Sequence, residues 1–170
     1  MTPPPPPPEK KLREPVIFLD IDGVLVTHRS MRAASGKRDH FERHCADKAC
    51  VAALNDLVER TGARVVVASS WRIGRSVAEL QSLLSAWGGK AEVVGRTRRE
   101  EVNEERGALI RDWAVTHGKP WFVILDDDTD MGDLAAYLVR TDFKKGLTKS
   151  HVAQALTVLR CQGFRAFATA

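Results

Sequence analysis

Val16-Ile17-Phe18-Leu19-Asp20-Ile21-Asp22-Gly23-Val24-Leu25-Val26 is the stretch on which the fold turns. Its first four residues are apolar, too few for a helix and rich in β-branched and aromatic types, so they read as a buried strand of an α/β sheet. Such a strand delivers its next residue to the carboxyl edge, where open α/β sheets bind ligands. Asp20 and Asp22 then stand one residue apart. Two anions at the end of an apolar strand are unfavourable unless a cation or a shared proton compensates. Mg²⁺, which prefers oxygen ligands, meets that need. Gly23 lets the backbone turn sharply and come close to a ligand. Asp-x-Asp-Gly by itself is also compatible with acids that merely end a strand.

Moving outward, the same pattern recurs. Arg64 to Ala68 is a second β-branched strand, and it ends in Ser69, Ser70, Trp71 and Arg72. Trp121 to Leu125 is another, delivering Asp126, Asp127, Asp128 and Asp130. Shorter strands are expected over Ala91 to Val94 and Leu138 to Arg140. Between them lie helical signals: Asp47 can cap a helix from Lys48 to Arg60, and Ser76 and Glu79 have capping-box spacing. Leu109, Ile110 and Trp113 mark a helix that stops near His117-Gly118. Thr148 or Ser150 can cap a closing helix carrying Val152, Leu156 and Leu159, and a short helix is expected around Leu134 to Tyr137. Alternating strands and helices imply an α/β three-layer sandwich, Rossmann-like, with a mostly parallel sheet of about five strands and helices on both faces. In such a sheet Asp20 and Asp22, Ser69 and Ser70, and Asp126 and Asp127 share one edge.

With 170 residues and 44% hydrophobic content the chain is long enough for one domain, expected over 15–170. The net charge of +4 favours anionic ligands. No apolar run is long enough to span a bilayer, and three cysteines with no signal peptide suggest a reducing cytoplasm. Pro3 to Pro8, with the basic residues after them, make 1–14 a tail in extended polyproline form. Thr27 to His44 lacks a sustained period and reads as a loop of about eighteen residues. His40, His44, Cys45 and Cys50 are close in sequence, but their spacing matches no standard zinc finger. His28, Arg29, Arg32, Lys37, Arg38, Arg72, Arg75, Arg96, Arg98 and Arg99 fall in loops or helix starts on the strand-end edge. They make a basic rim suited to a polynucleotide backbone or simply to solvent.

Taken together, Asp20-Ile21-Asp22-Gly23-Val24, Val65-Val66-Val67-Ala68-Ser69-Ser70 and Val123-Ile124-Leu125-Asp126-Asp127 resemble the first, second and fourth motifs of the haloacid dehalogenase-like (HAD) superfamily. Ser69-Ser70-Trp71-Arg72, the Asp cluster, Thr141-Asp142 and Gly146-Leu147-Thr148 are similar to the small HAD domains associated with bacterial nucleic-acid (RNA) repair proteins. The resemblance implies that Asp20 is a nucleophile forming an aspartyl-phosphate. Asp22 would protonate the leaving oxygen and later activate water. Mg²⁺ would be held by the Asp20 carboxylate, the Asp22 carbonyl and the fourth-motif acids, Asp127 with Asp126 assisting, and Asp130 would stand behind them. Ser69 would bind a phosphoryl oxygen, with Ser70 the alternative, and Gly23 and Arg72 would line the substrate site. The third-motif cation is Arg106 or Lys119, Arg106 ranking first. Neither segment where HAD enzymes insert a cap is long enough to form a domain, so the site should be open.

The resulting expectation is a cytoplasmic, Mg²⁺-dependent phosphomonoester phosphatase. Its substrate would be phosphorylated, a nucleotide or nucleic-acid end among the candidates, with no membrane partner. The alternatives are a phosphotransferase of the same fold and a non-catalytic module that binds metal, nucleic acid or a partner protein.

Overall fold

Both faces of β1 (Val16–Leu19) are buried, and its side chains alternate between two cores. Ile17 and Leu19 enter the larger, Val16 and Phe18 the smaller. A central strand of a parallel sheet needs this arrangement, because crossover helices cover both faces. The computed structural model describes residues 14–36 and 41–167. The tail expected over 1–14 lies outside the described residues except for Glu14, and so do Lys37, Arg38 and His40.

β2 (Arg64–Val67), β3 (Val93–Arg96), β4 (Phe122–Asp126) and β5 (Leu138–Arg140) complete the sheet. The order is β3-β2-β1-β4-β5 and every pair is parallel. Three helices supply most of the helical side of the larger core: α3 (Lys48–Thr61) through Leu54 and Leu57, α4 (Val77–Ala86) through Leu80 and Leu84, and α6 (Lys149–Cys161) through Val152, Leu156 and Leu159. On the other face α5 (Arg106–Thr116) supplies Ile110 and Trp113. There Phe18 meets Trp113 and Phe122 edge-on, at 5.5 and 5.4 Å between ring centres, a geometry that suits the ring quadrupoles. The fold is the expected three-layer, Rossmann-like sandwich.

The helix starts follow side-chain chemistry. Asp47 accepts from the Ala49 amide at 3.0 Å, Ser76 and Glu79 close a capping box, and Thr148, not Ser150, closes another with His151. Each satisfies amides that the helix itself leaves unpaired.

Three local expectations are corrected. The segment from Thr27 to His44 is not all loop, for it holds α1 (His28–Ala34) and the single turn α2 (Phe41–His44). Thr27 and Ser30 cap α1 reciprocally, but only Ser30 and Ala34 of this helix are buried, so there was no apolar stripe to read. β3 runs two residues later than Ala91 to Val94 because its pairing with β2 slips between Val65 and Val66, bringing Gly95 and Arg96 opposite Val66 and Val67. An edge strand tolerates such polar residues since one side is not paired. The turn after β4, Gly132–Tyr137, is a 3₁₀ helix. Among the described residues no helix is long and apolar enough to cross a membrane.

Register sets the site. Leu19 is level with both Val67 and Leu125, so Asp20, Ala68 and Asp126 leave the three central strands side by side. The ladder continues one step, the Asp20 amide donating to Leu125 and the Ala68 amide to Leu19, both at 2.9 Å.

Candidate active site

At that edge Asp20, Asp126 and Asp127 each offer a carboxylate oxygen within 4.8 Å of the others. Asp20 and Asp126 are buried, and Asp127 is half-buried. The Arg106 guanidinium reaches over them, with Nη1 at 2.5 Å from Asp126 Oδ2 and 3.4 Å from Asp20 Oδ2. Burial and the neighbouring Asp126 push the Asp20 carboxyl up to about 6, against the pull of Arg106, the Ser69 hydroxyl and the Ile21 amide. Burial likewise raises Asp126, with Arg106 opposing, and raises Asp127. Arg106 is held above its ordinary value: burial disfavours its charge, but Asp126 and Asp20 outweigh that. Three acids against one guanidinium leave an excess of buried negative charge. A donor set made only of hard carboxylate oxygens at this spacing fits a divalent cation such as Mg²⁺.

Asp22 is set apart. Its carboxylate is not in the cluster but accepts a hydrogen bond from the Trp71 indole at 2.9 Å. Ser69 is buried against Asp20, its oxygen also accepting from the Trp71 amide, whereas Ser70 is exposed at the start of a 3₁₀ turn, Ser70–Arg72. The serine nearest the acids is therefore Ser69. Gly23 has a φ of +74°, and a Cβ there would stand 2.5 Å from Asp127 Cγ. The Thr141 hydroxyl donates to the Gly23 carbonyl at 2.7 Å, tying this turn to the end of β5.

Asp130 acts on α5 rather than on the acids. Its carboxylate accepts from the Arg106 amide at 3.2 Å and its carbonyl from the Gly107 amide at 3.1 Å. The first α5 turn sits so close to this loop that a Cβ on Gly107 would lie 2.1 Å from the Met131 carbonyl oxygen. That approach brings Arg106 to the cluster.

Two expected site residues are elsewhere. Lys119 precedes β4 at the amino edge, its amide bonded to Ala114, with the length of the strand between it and the acids. Arg72 is only 1% exposed and points inward. Its guanidinium donates to the carbonyls of Ala68, Ser69, Thr97 and Arg98 and pairs with Glu100 at 2.9 Å. With its fork saturated, it ties the β2 and β3 loops together instead of facing substrate. Sequence spacing could not separate these cases, because both cations lie near strand ends. Trp71 was missed as a functional residue for a similar reason: nothing linear connects it to Asp22.

The zinc arrangement does not form among the described residues. Cys45 and Cys50 are buried, their thiols raised to about 11 chiefly by burial, and their sulfurs meet the Glu42 and Lys145 carbonyls. Such thiols are inert structural groups.

A parallel five-stranded sheet with acids after β1 and β4, a hydroxyl after β2 and a cation at the start of α5 defines a HAD-type domain. The model of the family described as the HAD domain in Swiss Army Knife RNA repair proteins matches residues 16–152, and the chain belongs to that family. Comparisons with curated proteins and with solved structures give no match.

Proposed function

We propose that the protein is a Mg²⁺-dependent phosphatase acting on phosphomonoesters, with a terminal phosphate of a nucleotide or nucleic acid as the favoured substrate. The observation that carries this reading is the division of labour between the acids: Asp20, Asp126 and Asp127 cluster, while the Asp22 carboxylate is held outside the cluster. A site that only bound metal has no use for a carboxylate kept aside at that point.

Asp20 attacks phosphorus in line, the ester P–O bond breaks, and Asp22 gives its proton to the leaving oxygen. Asp22, now a carboxylate, then takes a proton from water as that water attacks the phosphorus of the aspartyl-phosphate, which frees Asp20 and inorganic phosphate. Ser69 and Arg106 hold phosphoryl oxygens, the arginine in place of the more usual lysine. Mg²⁺ at Asp20 and Asp127, with Asp126 and the Asp22 carbonyl, would screen nucleophile from phosphate. The nucleic-acid preference rests on charge: His28, Arg32 and Lys144, with Arg29 already paired to Asp47 at 2.6 Å, line an open depression of about 860 Å³ beside α1. Much of the remaining rim is spent internally, Arg75 on Glu42 and Arg98 on Glu104 and Asp112.

The test is phosphate release from an aryl phosphate and from a 3′-phosphorylated oligonucleotide, with and without Mg²⁺. Metal-dependent release is expected from both, with the higher kcat/KM on the oligonucleotide. A protein that binds Mg²⁺ yet releases phosphate from neither would be a binding module. In the same assay Gly23→Ala is expected to raise the Mg²⁺ concentration giving half-maximal rate by about 10–100-fold. The new methyl displaces the Asp127 carboxylate and strains the left-handed turn. An unchanged Mg²⁺ dependence would remove Asp127 from the metal site.

A further inference from the structure

The Trp71 indole N–H donates to Asp22 Oδ2 at 2.9 Å, and the ring making this bond is fixed on its other sides. Trp87 packs against it edge-on, 5.6 Å between centres at 74°. The Arg75 guanidinium lies over it at 5.4 Å and also donates to the Trp71 carbonyl at 2.9 Å. Arg75 in turn pairs with Glu42 of α2, whose carbonyl accepts from the Trp87 indole at 2.7 Å. Beneath it the saturated Arg72 anchors the backbone turn on which Trp71 sits. An indole N–H is a donor only, and it exchanges no protons with a carboxyl group. It therefore orients Asp22 without competing for the proton that Asp22 must deliver. Among the described residues Oδ1 takes no hydrogen bond, so the oxygen not engaged by Trp71 is the one available to the reaction.

We propose that Trp71 is a positioning residue for proton transfer: it holds Asp22 so that its other carboxyl oxygen meets the leaving group, and the α2 segment supports it through Arg75 and Glu42. The proposal rests on the phosphatase reading, because positioning an acid matters only if a leaving oxygen needs a proton. A carboxyl group one rotamer away from the right direction loses most of the contribution of general acid catalysis, about 10²–10⁴-fold when complete.

The effect depends on the leaving group, which separates it from a structural role. Trp71→Phe keeps an apolar ring against Trp87 and removes the donor. Its kcat/KM is compared with wild type on dinitrophenyl phosphate, whose phenolate leaves unassisted, and on a simple alkyl phosphate, whose alkoxide must be protonated. This parameter reports the steps through loss of the leaving group, so hydrolysis of the aspartyl-phosphate does not enter it. A loss of about 10–100-fold is expected on the alkyl ester and less than about 3-fold on the dinitrophenyl ester. The ratio of the two rates is independent of the fraction of protein folded. Should Trp71→Phe not fold at all, Trp71→Leu, which also removes the donor, supplies the same ratio with the same difference expected between the two esters.

Equal losses on both esters, or none on either, overturn the positioning role while leaving the phosphatase intact. If the wild-type protein hydrolyses neither ester, the phosphatase reading and this proposal fall together.

Discussion

Asp20→Asn is expected to abolish phosphate release, lowering kcat by a factor on the order of 10⁴–10⁶, the scale seen when a nucleophile is removed from an otherwise intact site. Asparagine matches the shape of aspartate but its amide does not attack phosphorus. The same substitution should not unfold the protein. Asp20 is buried beside Asp126, and burial together with that neighbour already works against its charge. A neutral side chain relieves this repulsion, although Arg106 loses one of its two acids. Phosphate release and thermal unfolding measured on the same preparation check both halves. A variant with wild-type turnover would rule Asp20 out as the nucleophile, and one that unfolds would show that its charge is needed by Arg106.

Arg72→Ala is expected to lower stability by about 3–5 kcal/mol, a large share of a small domain's total. The guanidinium is almost fully buried and bridges carbonyls on two loops, Ala68 and Ser69 after β2, Thr97 and Arg98 after β3. Removing it leaves those carbonyls short of donors, leaves Glu100 without its cation and opens a cavity. Arg72→Lys should recover little, since a single ammonium does not span both loops as a planar fork does. Denaturant titration measures the change. Were Arg72 instead a substrate contact, as its place in Ser69-Ser70-Trp71-Arg72 suggests, stability would hold and KM would rise. That result would overturn the assignment made from its burial.

The two substitutions also mark how far the sequence carries. Asp20 was legible because an apolar run ending in two acids has few physical interpretations, and β1 then falls where the run predicts. The same logic found the ends of β2 and β4, Asp47 and Ser76 as caps, and Thr148 as one of two candidates for a third, since in each case the deciding interaction spans only a few residues. Its weak points were segments whose identity comes from distant partners. α1 has a cap but no apolar stripe, β3 takes its register from β2, and Arg72 looked like any other cation near a strand end.

Sequence alone determined that acids and hydroxyls would meet at one edge of a parallel sheet, because side-chain periodicity and strand direction are local properties. Only the tertiary structure decided which cation joins them. Arg106 reaches Asp126 and Asp20 because Gly107 packs closely on Met131 and Asp130 holds the helix start, while Lys119 is left at the opposite edge. It likewise decided that Trp71 meets Asp22, 49 residues away. Such pairings depend on loop packing and register between strands, which no spacing along the chain encodes.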